Sequence, residues 1–228
     1  MRYRIHYTKT GKLRFLSQRD LLRFFERALR RTGLPLSMSE GFNPRARLSA
    51  PAPMPLGVES DDEIIEVQLS ARVEPEEIRR LLAPELAAGL SVTAVEELQA
   101  TRFCHPSSVE YEVLLPEGMR PSVEQLRDAL GADAPPETRY SDEAPTTVDY
   151  QTYVSSVRVE NDRLRLTLLA SERTTAKLRD VLSRLLGLTV PEVLQLRVTK
   201  LRTNYSPEPR SEAAPTTQPP VIHRAGNS

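Results

Sequence analysis

The sequence predicts an α+β protein made of two consecutive βαββαβ units, over residues 1–100 and 107–205, with a disordered tail over 206–228. Three observations lead there. Alternating apolar and polar stretches are interleaved with stretches of helical period. The same order of elements occurs twice along the chain. The length, 228 residues, suits two domains of about 100 residues each.

In the first unit, Tyr3, Ile5 and Tyr7 alternate with Arg2, Arg4, His6 and Thr8, which is a strand with one buried face. Lys9 to Lys12 reads as a turn. Ser17-Gln18-Arg19-Asp20 has the form of a helix start, with Ser17 as N-cap and Asp20 three residues on. The helix runs to about Arg31, where Gly33 stops it. Leu21, Leu22, Phe25, Ala28 and Leu29 share one face of that helix. Arg19, Arg23, Arg27 and Arg30 share the other. Residues 40–57 hold Pro44, Pro51, Pro53 and Pro55, so they read as a loop with a short strand near Arg47–Ala50. Glu63–Leu69 reads as a strand, Glu74–Leu82 as a short helix and Leu90–Leu98 as a strand.

The second unit repeats the order. Val109–Leu115 reads as a strand, Ser122–Leu130 as a capped helix and residues 131–147 as a Pro/Asp/Glu-rich loop. Val148–Val159 reads as a strand, Asn161-Asp162 as a hairpin turn and Arg163–Leu169 as a strand with Leu164, Leu166 and Leu168 inward. Thr174–Leu186 reads as a helix and Val193–Leu201 as the last strand. Tandem βαββαβ units are the order of ferredoxin-like sandwiches. The tail carries five prolines and almost no large apolar residue, too little to bury a core.

Formal net charge is zero, but the charges are segregated. Residues 1–57 hold 12 basic and 3 acidic residues; residues 58–100 hold 3 and 11. Of the 31 basic residues, 27 are arginine, whose planar fork suits phosphate and carboxylate. GC-rich coding would raise arginine over lysine for no functional reason. The single cysteine, Cys104, excludes a disulfide framework and a cysteine-built zinc or iron–sulfur site. No apolar run reaches the length of a membrane span, and Met1 to His6 lacks a signal-peptide core. The expected compartment is the cytoplasm, with no metal and no cofactor.

The stretch Leu13 to Ser60 carries a resemblance. Its marks are Phe15-Leu16-Ser17, Asp20, Phe25-Glu26-Arg27-Ala28, Gly33-Leu34-Pro35, Gly41-Phe42-Asn43-Pro44 and Pro55-Leu56-Gly57-Val58. It resembles the radical SAM-associated family, the domain of unknown function DUF2344, which is found alone or joined to cobalamin-binding radical SAM proteins. The likeness is weaker but collinear to about Tyr205, with Asp149 and Arg202 at family-like positions. It departs from the family at Gln18 and at Arg45-Ala46, where histidine and histidine–proline are usual, and at Thr174-Thr175 in place of arginine–proline. The resemblance implies association with a radical SAM protein. With one cysteine the chain cannot itself bind the cluster of such an enzyme.

The candidate site is the arginine face of the first helix together with the loop Ser39 to Ser49. Arg19, Arg23, Arg27 and Arg30 span about three turns and could track a phosphate backbone. Gly41 and Asn43 would shape the loop, and Arg45 and Arg47 would extend the basic surface. The bland alternatives are a solvated helix face, paired in part to Glu26, Glu63 or Glu66, and a structural crossover that packs Phe42 and Pro44 on the sheet. Glu63 and Glu66 are also expected to pair across strands with Arg2 and Arg4. The tyrosines of the first strand should face the helices, so the stacking aromatics of an RNA-recognition sheet are absent. The reading is a non-catalytic RNA-binding accessory protein, its partners tRNA or rRNA and a radical SAM protein. One alternative is a protein–protein adaptor that docks through the acidic block 59–77. Another is an endoribonuclease-like enzyme relying on His6, since tandem ferredoxin-like proteins that process CRISPR RNA share the architecture.

Overall fold

The computed structural model describes residues 1–52, 54–98, 105–131, 137–140, 145–148, 150–170, 177–206 and 221–224. The protein is a mixed α+β chain whose strand pairing is mostly antiparallel. It divides into two compact units, one built on Met1–Pro106 and the other on Ser107–Tyr205.

The first unit contains β1 (Arg2–Lys9), α1 (Gln18–Arg31), β2 (Leu48–Ser49), β3 (Glu59–Gln68), α2 (Pro75–Leu82) and β4 (Leu90–Leu98). Its strands lie in the order β2-β3-β1-β4, each pair antiparallel. The period-2 pattern of β1 sends Tyr3, Ile5 and Tyr7 to the helix side, where all three are fully buried. Ile65 and Val67 face the same way from β3, opposite Ile5 and Tyr3. Leu21, Phe25, Ala28 and Leu29 of α1 and Ile78 and Leu82 of α2 close the core over them. The Tyr7 and Phe25 rings meet at 4.7 Å. Truncating a buried phenylalanine of this kind costs about 3–5 kcal/mol.

Helix α1 starts where its cap is. The Ser17 hydroxyl accepts a hydrogen bond from the Asp20 amide at 3.2 Å and donates to the Asp20 carboxylate at 2.6 Å. It ends at Thr32, followed by Gly33 in the left-handed region (φ 73°). Strand β3 begins at Glu59, four residues before the expected start. The segment Glu59 to Asp62 is all polar, so hydrophobic alternation is blind to it, yet Ser60 is in register with Lys9. The expected turn at Lys9 to Lys12 is followed by a 3-10 turn over Gly11–Phe15.

The second unit contains β5 (His105–Leu114), α3 (Val123–Leu130), β6 (Glu137–Tyr140), β7 (Pro145–Val148) and α4 (Tyr150–Tyr153). It continues with β8 (Val154–Glu160), β9 (Arg163–Leu169), α5 (Leu178–Leu186), α6 (Val190–Val193), β10 (Arg197–Ser206) and β11 (Val221–Arg224). Its main sheet runs β11-β8-β9-β5-β10. Leu164, Leu166 and Leu168 are buried, as their alternation predicts. Asn161 turns the β8–β9 hairpin with φ 56°, a conformation asparagine tolerates. Leu126 and Leu130 of α3 and Leu178, Val181, Leu182 and Leu185 of α5 are buried with them.

Four expectations for this unit need correction. The loop over 131–147 contains the hairpin β6–β7, paired Glu137 to Val148. The strand expected over Val148–Val159 starts at Val154, because Tyr150 and Tyr153 are both buried at a spacing of three, which is one helical turn. The strand expected over Val193–Leu201 starts at Arg197. Thr189 and Glu192 form a capping box ahead of it, with Pro191 in the first turn, and so nucleate α6. The tail is not wholly without structure: Val221–Arg224 runs parallel to β8, with Val221 opposite Ser156. That segment, Val221-Ile222-His223-Arg224, has the tail's only adjacent aliphatic β-branched residues. Cys104, Asp149 and Thr174-Thr175 lie outside the described residues. Among the described residues, no helix is long and apolar enough to cross a membrane.

Candidate functional site

Two charged surfaces flank the first unit, one on each side of its sheet, and they are built differently. On the open side, β1 presents Arg2, Arg4 and His6. Glu66 lies opposite Arg4 on β3, and Glu96 lies opposite Arg4 on β4. The Glu66 carboxylate accepts from Arg2 at 2.6 Å and from Arg4 at 2.8 Å. Arg4 reaches Glu96 at 3.3 Å, and His6 Nδ1 lies 2.8 Å from Asp62. The hydrogen bond to Asp62 raises the His6 pKa above its ordinary 6.5; desolvation opposes the rise, and the charges of Asp62 and Glu96 add to it. The expected Glu66 pairing is therefore present. Glu63 is the exception: it stands opposite Tyr7, on the helix side of β3, and is buried there. A register counted from the apolar residues puts Glu63 with Ile65 and Val67, so parity alone could have shown this.

On the helix side, the outer face of α1 meets the loop that follows Gly33. That loop folds back as a narrow two-stranded arch. Its base is fixed by backbone bonds, Ser39 N–H to Arg45 O at 2.7 Å and Arg47 N–H to Ser37 O at 2.9 Å. Met38 bridges Ala46, and the Ser39 hydroxyl accepts from the Arg45 amide at 3.0 Å. Residues Glu40 to Pro44 form the tip. Gly41 sits there at φ 114°, where a side chain would be strained. The arch brings Asn43, Pro44 and Arg45 against Asp20, Arg23, Glu26, Arg27 and Arg30, and these eight residues line an open cleft of about 730 Å³.

Of the predicted site residues, Arg23, Arg27, Arg30, Asn43 and Arg45 are thus gathered in one place. Arg19 is exposed on the first turn of α1 and Gly41 sits at the tip, neither lining the cleft. Arg47 points back along the arch, bonding Met38 O at 3.3 Å and lying 4.0 Å from Glu40. Arg30 is paired with Glu26 at 3.1 Å and touches Pro44 O at 3.4 Å. Arg23 lies 3.7 Å from Asp20. These are exposed pairs within one helix, worth about 0.3–0.5 kcal/mol each and readily released. Arg27 and Arg45 have no carboxylate partner among the described residues. The cleft therefore carries four guanidinium groups against two carboxylates. The expected packing of Phe42 on the sheet does not occur: its side chain is fully exposed (106%). Sequence reading did not count Phe42 as a site residue; its place between Gly41 and Asn43 was the available signal.

A mixed α+β chain with an arginine-lined cleft on its first helix is a class with many functions. The chain belongs to the family described as "Uncharacterized protein conserved in bacteria (DUF2344)", whose model matches residues 2–180. None of the curated proteins matches it.

Proposed function

We propose that this protein is a non-catalytic RNA-binding accessory protein of a radical SAM, RNA-modifying system, built as two tandem ferredoxin-like domains over 1–100 and 107–205. One observation carries the RNA reading. Arg23, Arg27 and Arg30 from α1 and Arg45 from the arch line one open cleft, and two of the four lack an acidic partner among the described residues. Guanidinium groups gathered around an open trough suit a phosphate backbone better than a small enclosed ligand. The element order βαββαβ, with strands in the order β2-β3-β1-β4, supports the ferredoxin-like reading of the first domain. The radical SAM partner rests on the resemblance over Leu13 to Ser60.

The adaptor alternative is weakened because much of the acidic block 59–77 is already engaged. Glu66 holds Arg2 and Arg4, Glu59 accepts from the Gly11 amide at 2.8 Å, Asp62 lies 2.8 Å from His6, and Glu63 is buried. The endoribonuclease alternative places its histidine, His6, on the side of the sheet opposite α1, away from the cleft.

The test is a fluorescence-anisotropy titration with mixed cellular tRNA and a structured rRNA fragment at two salt concentrations. Wild type is compared with an Arg23→Glu/Arg27→Glu variant. Binding that weakens with salt and is lost in the variant is the expected result. Equal binding by the variant, or none by wild type at low salt, overturns the reading.

A further inference from the structure

The tip of the arch holds an apolar ring with nothing on it. Phe42 is exposed over its whole side chain, while Phe24 and Phe25 pack on or in the core. Leaving a phenylalanine in water forfeits the free energy of burying its ring. Along the chain Phe42 stands between Gly41 and the cleft residues Asn43, Pro44 and Arg45. The tip itself reads Glu40-Gly41-Phe42-Asn43-Pro44, in which Phe42 is the only large apolar side chain. A protein partner is usually met by several apolar residues packed together, with a polar rim. A lone exposed ring on the loop that carries Arg45 into the cleft matches a different ligand: a base whose face stacks on the ring while its phosphates lie on the arginines. A base inside a duplex has no free face to offer.

We infer that Phe42 is a base-stacking residue and that the cleft takes unpaired nucleotides, with RNA single-stranded at the contact point. This rests on the RNA reading of the cleft and names its substrate class. The backbone bonds at the base of the arch fix the loop that carries Phe42 together with the cleft residues Asn43, Pro44 and Arg45, so less order has to be imposed on binding. Arg27 and Arg45 then supply phosphate contacts that are blind to base identity, and Phe42 supplies the selection for an unstacked base.

The probes are a single-stranded RNA 12-mer carrying one 2-aminopurine and a blunt duplex containing the same strand. The full chain, Phe42→Ala, Phe42→Trp and Arg27→Ala/Arg45→Ala are titrated with each. The expected result is that Phe42→Ala weakens single-strand binding by roughly 5- to 150-fold, the range for one lost stacking contact. The salt dependence stays as in wild type, and the change in 2-aminopurine emission on binding disappears. Phe42→Trp restores both affinity and emission change. If Phe42→Ala leaves single-strand affinity and emission unaltered while the arginine variant loses affinity, stacking is overturned and the phosphate cleft stands. If the arginine variant also binds as wild type does, both are overturned. Equal wild-type affinity for duplex and single strand overturns the substrate class. Phe42 is exposed, so its variants should melt with wild type, and this is checked first.

Discussion

Replacing Glu66 by glutamine should destabilise the protein out of proportion to the one atom changed. The Glu66 side chain is 5% exposed and each of its oxygens takes a guanidinium, Arg2 at 2.6 Å and Arg4 at 2.8 Å. Arg4 is itself buried, with a side chain 11% exposed, and its other carboxylate, Glu96 at 3.3 Å, is half in water. Removing one partner of a buried pair leaves the other charge stranded, at a cost of about 3–5 kcal/mol. Glutamine keeps the shape and one carbonyl acceptor, so about 2–3 kcal/mol is expected. In a chain of this size that lowers Tm by roughly 4–12 °C. Glu96→Gln, acting on the same arginine from an exposed position, should cost no more than about 1 kcal/mol. Urea unfolding followed by circular dichroism, with m checked for constancy, measures both. A Glu66→Gln variant within about 0.5 kcal/mol of wild type, or no worse than Glu96→Gln, would refute the claim that this carboxylate organises the sheet face.

Two further predictions concern the same unit. Ser17→Ala removes the acceptor for the Asp20 amide and should cost about 1 kcal/mol in the same unfolding assay, with Ser17→Thr recovering most of it; equal stability of the alanine variant would show that the cap contributes nothing. His6 has its pKa raised by the hydrogen bond to Asp62. Its extra stability is therefore full below the unfolded value of 6.5 and is lost as pH rises through the higher folded value. The stability gap between wild type and His6→Gln should be wider at about pH 5.5 than at about pH 8.5, and a gap that is constant or widens with pH would contradict this.

How far the sequence reaches depends on what carries each feature. Side-chain periodicity carries β1, α1 and β9, and all three are legible: Tyr3, Ile5 and Tyr7 go inward, and so do Leu164, Leu166 and Leu168. The arginine face of α1 is legible for the same reason, since 23, 27 and 30 recur at helical spacing. The cleft is not legible, because what closes it is backbone. Nothing in the side chains of Ser37 to Arg47 announces the bonds from Ser39 to Arg45 and from Arg47 to Ser37 that fold the arch back. The polar start of β3 at Glu59 was missed because strand pairing there depends on register with Lys9 rather than on burial pattern. The one-turn helix α4 falls inside an expected strand, and α6 takes the first residue of another, because one turn is too short for its period to outweigh neighbouring β-branched residues.

The count of arginines says little; the count of their partners separates the two faces of the first unit. On β1, Arg2 and Arg4 stand against carboxylates from both neighbouring strands within hydrogen-bond reach. Their field cancels locally, and a distant polyanion is not drawn to it. On α1 the charges are arranged so that they do not cancel. Arg23, Arg27 and Arg30 sit within two turns, where like charges three and four apart repel by about 0.2–0.5 kcal/mol per pair. Among the described residues only Asp20 and Glu26 answer them, through exposed contacts. Arg45 adds a fourth charge from outside the helix. A helix needing only solubility gains by mixing signs along its outer face. This one accepts repulsion on the side to which the arch adds another cation. A phosphate entering the cleft relieves that repulsion, so binding recovers free energy that folding gave up. The reading therefore requires that neutralising Arg27 raise stability slightly, or leave it unchanged, while weakening RNA binding.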